Sequence, residues 1–159
     1  MWEQILTSHN LEIFGQIGLA TMLGALIGVE RELAKKTAGM RTFALVAMGA
    51  ALFTILSQSN LGFSQGFDPS RIASQIVVGI GFIGAGSIIF TKSQVKGLTT
   101  AAGLWVSAAI GMAVGYRFYT IAIFSAIVTI FILVFLWILE HKIIKRLGRL
   151  AAHDDEDGE

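Results

Sequence analysis

Five uncharged apolar runs divide the middle of this sequence, and each is close to the length of one membrane crossing. Residues 13–29 form a run of 17, 42–67 of 26, 72–91 of 20, 97–116 of 20 and 118–139 of 22. A bilayer core of about 30 Å takes about 20 helical residues, with about 17–25 tolerated. The second run is too long for one crossing and too short for two. Its 60–67 end, rich in Ser, Gly and Gln, reads as a loop. The expected fold is an all-α membrane protein of five transmembrane helices at residues 13–29, 42–59, 72–91, 97–116 and 118–139. A short external segment, 1–12, precedes them, and residues 140–159 follow as a basic juxtamembrane helix end and an acidic tail expected to be disordered. Composition agrees, with 14% charged residues and a mean hydropathy of +0.70, where soluble domains carry about 25% charged residues.

Charge placement orients the helices, because Lys and Arg favour the cytoplasmic ends of membrane helices. With the N-terminus outside and the C-terminus inside, the inner segments hold Arg31, Lys35, Lys36, Arg41, Lys92, Lys96, Lys142, Lys145, Arg146 and Arg149. The outer segments hold only Arg71 and Arg117. No cleavable leader is expected, since residues 1–10 lack a basic region and the first apolar run leads straight into a charged loop. The sequence has no cysteine, which excludes disulfides and thiolate metal sites. Its three histidines, His9, His141 and His153, are scattered at terminal or interfacial positions and read as solvated.

Within the third run, Gly79-x-Gly81-x-x-Gly84 matches the glycine spacing of a dinucleotide-binding turn. That turn needs a preceding strand, a helix opening at the glycines and an acidic residue about 20 positions on. Residues 69–139 contain no Asp or Glu, so no nucleotide is expected. On a helix, Gly79 and Gly86 lie within about 20° of each other, while Gly81 and Gly84 lie near the opposite side. Small residues let membrane helices approach closely, which predicts a central third helix packed on two faces. The alternative is a helix broken at the glycines, exposing carbonyls to a polar cavity. Gly24-x-x-x-Gly28 and Gly111-x-x-x-Gly115 offer further sites of close helix packing, within the chain or in a homodimer. The fifth run has no glycine and is expected to face lipid, with Trp137 near the inner interface.

Two polar groups are candidates for function. On the cytoplasmic side are Glu30, Arg31, Arg41, Thr99 and Thr100, with Arg41 an option for pairing Glu30. The ordinary reading of that loop pairs Glu32 with Lys35 or Lys36, for a few tenths of a kcal/mol, and lets the threonines cap or bond back to their own helix. On the outer side are Asp68, Arg71 and Gln75. Asp68 before Pro69 makes a helix start, and Arg71 and Gln75 follow one turn apart, as interfacial groups or as a polar vestibule. No catalytic constellation, cofactor motif or metal-ligand spacing emerges, so neither an enzyme nor a cofactor is expected, and the metal question stays open. The basic residues hug helix ends, which argues against nucleic acid as a partner.

The blocks "GVEREL", "AGMRTFALVAMGAALF", "DPSRIASQIVVGIGFIGAGSI" and "VKGLTTAAGLWVSAAIGMAVG" occur in that order. Together they resemble the MgtC/SapB family of bacterial inner-membrane proteins, over roughly residues 15–116. The resemblance implies a multi-helix domain of the bacterial inner membrane associated with adaptation to low magnesium and, in some members, with virulence. Its polar signature falls on Glu30, Arg31, Arg41, Asp68, Arg71, Gln75, Thr99 and Thr100, and its glycine signature on Gly79, Gly81, Gly84 and Gly86. Some members continue into a soluble C-terminal domain, which this chain is expected to lack.

Two functions are then weighed. One is regulation of, or interaction with, other membrane proteins; the other is a transporter or channel for a cation such as magnesium. A magnesium site wants oxygen ligands in octahedral geometry. Between residues 13 and 139 the acidic residues are Glu30, Glu32 and Asp68, and the expected topology places the two glutamates and Asp68 on opposite sides of the membrane. The first function is therefore favoured.

Overall fold

The computed structural model describes residues 7–58, 68, 70–91, 94–140, 142 and 143. Its first helix, α1 (Ser8–Leu33), is 26 residues long, or about 39 Å at 1.5 Å per residue. The apolar run 13–29 marks only its middle. Hydropathy registers the stretch in contact with lipid, whereas the intrahelical hydrogen-bond ladder continues beyond it at both ends. Glu30 and Arg31, placed by sequence in a loop, therefore occupy the last turn of α1. The Thr7 hydroxyl starts the helix by accepting from Asn10 N at 3.3 Å. Lys35, with φ of 53°, ends it: Lys36 N bonds Arg31 O and Lys35 N bonds Glu32 O, each at 3.0 Å, the paired closure of a Schellman turn.

The remaining elements are α2 (Met40–Gln58), α3 (Ser70–Gly86), β1 (Ile89–Thr91), β2 (Gln94–Lys96), α4 (Leu98–Gly115) and α5 (Tyr119–Phe131). A π-helical stretch, Ile132–Leu136, carries α5 onward, and the apolar helix reaches Glu140. Among the described residues four helices, α1, α2, α4 and extended α5, are long and apolar enough to cross a membrane; α3 is a shorter apolar helix of 17 residues.

The expected third span, 72–91, ends early, because α3 stops at Gly86 and residues 89–96 form an antiparallel hairpin. Ile89 pairs with Lys96, Phe90 with Val95 and Thr91 with Gln94. A short apolar run reads equally as strand or helix by periodicity, and here the β-branched and aromatic residues after the glycines take the strand. Gly97 turns the chain from β2 into α4 at φ of 95°, with its α-carbon against the Ser87 carbonyl where no Cβ fits.

The centre of the bundle is α4, which packs against α1, α2, α3 and α5. Phe43 of α2 is fully buried and is where three helices meet. A Cβ on Gly24 of α1 would lie 2.5 Å from the Phe43 carbonyl oxygen, and one on Gly103 of α4 would lie 3.2 Å from its ring. Further along α4, a Cβ on Gly111 would collide with the Ala47 carbonyl oxygen, and one on Gly115 would lie 2.7 Å from Thr54 Cβ. Gly28 is equally tight, at 2.5 Å from Met40 Cα.

The glycines of α3 behave differently, and this corrects the expected central third helix. Added Cβ atoms at Gly79, Gly81 and Gly86 would meet nothing within 4 Å, and Gly84 makes only an ordinary 3.6 Å contact with Ala101 Cβ. The helix is continuous through all four, so the broken-helix alternative does not describe it either. With Ala73, Ile80 and Gly84 its only buried residues, α3 is a peripheral element. Between α2 and α3 an apolar groove of about 690 Å³ remains open, with Gly49 and Gly79 in its walls. The fifth helix is largely exposed, with Trp137 among its outward residues.

Candidate functional site

Packing contacts sort the polar residues to two ends of the bundle. The end formed by the α1 C-terminus, the α2 N-terminus and the start of α4 carries the first candidate group. Arg31 is 2% exposed and grips the carboxylate of its neighbour Glu30 with two parallel hydrogen bonds. Nη2 donates to Oε1 at 2.6 Å and Nε donates to Oε2. A planar guanidinium matched to a carboxylate is the geometry that best offsets the cost of burying both charges. Arg41, offered by sequence as the partner of Glu30, is exposed, and Arg31 takes that role. Thr100 is buried whereas Thr99 is exposed, as adjacent helical positions about 100° apart require. The five residues therefore share an end of the molecule, with Arg31 and Thr100 turned into the bundle and Arg41 and Thr99 outward.

Glu32 is also re-assigned. Its Oε2 accepts from Met40 N at 3.1 Å, capping the first turn of α2 in place of an ion pair with Lys35 or Lys36. An anion at that helix start also meets the positive end of the macrodipole. Because Gly39 lies against the Glu32 side chain and Gly28 against Met40, the α1–α2 corner is closed by backbone and carboxylate together.

At the other end, Asp68 Oδ1 accepts from Ser70 N at 2.9 Å. Hydrogen bonding to Ser70, aided by the nearby Arg71 charge, holds its carboxyl below the usual carboxylate range. Arg71 and Gln75 are exposed one turn apart, and Gln75 lines the α2–α3 groove.

A second set of buried polar contacts escaped sequence reasoning. Gln16 is 3% exposed, and its Nε2 donates to Val114 O at 3.1 Å and Gly115 O at 3.4 Å. Gln58 Nε2 donates to the same Gly115 O at 2.8 Å, so α1, α2 and α4 converge on one carbonyl. Ser107 Oγ donates to Phe43 O at 3.1 Å, and Thr54 and Ser57 bond back to Ala50 O and Thr54 O at 2.7 Å each. Outside this cluster Glu12 and Arg117 form an exposed ion pair at 3.0 Å. The available signal was polarity without charge: Gln16 is the one amide in a first run otherwise made of apolar residues, glycines and Thr21, and a donor in a span must find a partner.

Chemically, the network is closed. Among the described residues no buried side-chain nitrogen or oxygen lacks a partner, and no three acidic or imidazole side chains group as a metal site. The sequence pattern of the MgtC family matches residues 17–142. The chain belongs to the MgtC family. It is 46% identical over 122 residues to the Escherichia coli K12 protein named "Putative magnesium transporter YhiD", covering 72% of this chain and 56% of that one. It is 49% identical over 109 residues to Protein MgtC of Salmonella typhimurium LT2, covering 69% of this chain and 46% of that protein. A Haemophilus influenzae relative is 43% identical over 133 residues, covering 79% of this chain and 54% of its own. The chain thus spans about half the length of the curated relatives it matches, and no solved structure matches it. The MgtC match takes in the Glu30–Arg31 pair, the α1–α2 corner and all of α3, whereas Glu12 and Gln16 precede it.

Proposed function

We propose that this MgtC-family chain is a non-enzymatic membrane module of the bacterial inner membrane that binds and regulates another membrane protein in magnesium homeostasis. In this reading all five helices cross, with the N-terminus outside and the C-terminus in the cytoplasm, as the distribution of Lys and Arg favours. The observation that carries the proposal is the outer face of α3. Val78 and Phe82 are 67% and 85% exposed, and Gly81 between them has nothing within 4 Å of an added Cβ. Gly81 and Ala85 stand four residues apart beside them, the small-residue spacing that brings two membrane helices into contact. The partner is a helix of another membrane protein, with a second copy of this chain as the self-associating case.

The name of the Escherichia coli relative supports a second reading, cation transport. The interior argues against it, because Gln16, Thr54, Ser57 and Ser107 are tied to backbone carbonyls, Arg31 is tied to Glu30, and the acidic groups lie at opposite ends. A photo-crosslinker at Phe82 is expected to capture a membrane protein in intact cells, and Gly81→Leu to abolish the capture. Purified protein in liposomes is expected to pass no magnesium. A flux that Glu30→Gln removes would establish transport and sink the proposal.

A further inference from the structure

The groove between α2 and α3 is a different surface from the outer face of α3, and its dimensions define its occupant. Its lining runs on α2 from Thr42 to Phe53 and on α3 from Ile72 to Ile83. Each stretch advances by 11 residues, about 16 Å along the helix axis, which matches one leaflet's half of a hydrocarbon core about 30 Å thick. The walls are almost wholly apolar, the volume of about 690 Å³ is that of a small-molecule site, and Leu45 and Phe53 on its edge are 61% and 55% exposed. Water does not fill such a space, and the protein's own side chains do not, since Gly49 and Gly79 face nothing within 4 Å.

Polarity appears at the end near the start of α3. Gln75 lines the groove there, and Arg71 stands one turn above it, exposed and in no ion pair among the described residues. Asp68 is near enough to sense the Arg71 charge, yet its carboxylate is engaged by Ser70 N. An acyl-length apolar slot topped by an amide and a guanidinium complements a molecule with a hydrocarbon tail and an anionic oxygen-rich head.

We infer that the α2–α3 groove holds a resident glycerophospholipid, one acyl chain lying along Gly49 and Gly79 and its phosphate on Arg71 with Gln75 beside it. The lipid supplies the packing that α3 lacks from the protein, where only Ala73, Ile80 and Gly84 are buried.

The test uses the full chain reconstituted in nanodiscs of dioleoyl phosphatidylglycerol, released into detergent and weighed by native mass spectrometry. One phospholipid per chain is expected to survive detergent washing. Gly79→Leu sets its Cβ in open space within the groove, so it is expected to keep the fold, checked by thermal unfolding, and to lose the lipid. Gly49→Leu is the second groove variant, for the case in which either one misfolds. Arg71→Gln is expected to lower retention about three- to tenfold, the size of one partly exposed charge-assisted hydrogen bond, and Arg71→Lys to restore most of it. Equal retention in a folded Gly79→Leu or Gly49→Leu protein would overturn the inference. So would a change from dimer to monomer in these variants with lipid content unaltered, which would assign the groove to a second copy. Failure of the Phe82 crosslink would leave this result untouched, since Phe82 lies outside the groove lining.

Discussion

Two helices in this bundle end on a basic residue in the left-handed region, a conformation that usually selects glycine. Lys35 closes α1 at φ of 53° and Arg117 closes α4 at φ of 67°, each with the double hydrogen bond of a Schellman turn. A side chain in that region costs about 1 kcal/mol or more, partly offset because glycine loosens the unfolded chain. Lys35→Gly is therefore expected to stabilise the protein by about 0.5 kcal/mol, read as a raised midpoint of thermal unfolding in detergent micelles. Arg117→Gly also loses the exposed pair with Glu12, so its gain is smaller. Neither αL residue was legible in the sequence, because Lys and Arg carry no turn signal and their positions were accounted for by topology alone. Asp68 was legible as a helix start, and its chemistry adds a pH dependence. Its folded pKa is depressed, so the stability it lends to the first turn of α3 is present at neutral pH and lost as pH falls through the folded pKa. Amide exchange at Ser70 and Arg71 is expected to rise in acid, and Asp68→Asn to remove that rise while keeping the cap.

At the scale of helices, glycine spacing identified faces but not neighbours. Gly24-x-x-x-Gly28, Gly111-x-x-x-Gly115 and the α3 glycines are equivalent in sequence terms, yet only the first two pairs touch another helix closely. The distinction is tertiary: α4 lies between four neighbours, whereas α3 leans on α2 and α4 from one side. Gly111→Leu is expected to cost about 3 kcal/mol or more by overpacking against the Ala47 backbone, while Gly81→Leu stays close to neutral. Thermal unfolding of the two variants in the same micelles measures the contrast directly. Equal losses would show that α3 is buried in a way its contacts within the chain do not reveal. The glutamines give a second contrast. Gln16 and Gln58 both donate to the Gly115 carbonyl, and hydrogen bonds between membrane helices contribute about 1 kcal/mol. Gln16→Leu and Gln58→Leu are each expected to cost about that much. Removing both is expected to cost more than the sum, because either glutamine still satisfies the shared Gly115 carbonyl when the other is gone and only the double variant leaves it bare.

For the whole molecule, the described elements run alternately up and down, gathering Arg31, Lys35, Lys36, Arg41 and Lys96 at one end and Arg71 and Arg117 at the other. The sequence made this alternation legible through five apolar runs, but it could not divide residues 72–91 into a helix and a hairpin. That division decides how the chain meets the bilayer. With 17 residues, α3 rises about 25 Å, some 5 Å less than a core of about 30 Å. It crosses only if the bilayer thins locally or if Arg71 at one end and the hairpin at the other reach into the interface. A crossing α3 puts Ser70 and Gln94 on opposite sides of the membrane. Because the sequence has no cysteine, Ser70→Cys and Gln94→Cys each introduce a single reporter, and both positions are exposed. A membrane-impermeant maleimide added to intact spheroplasts is expected to label position 70 and to reach position 94 only after the membrane is opened. The reverse pattern would invert the orientation while keeping five crossings. Labelling of both positions from one side would overturn the packing itself: α2 and α4 run parallel, with Phe43 against Gly103, Ala47 against Gly111 and Thr54 against Gly115, so α3 and the hairpin have to return the chain from the end of α2 to the end where both helices start.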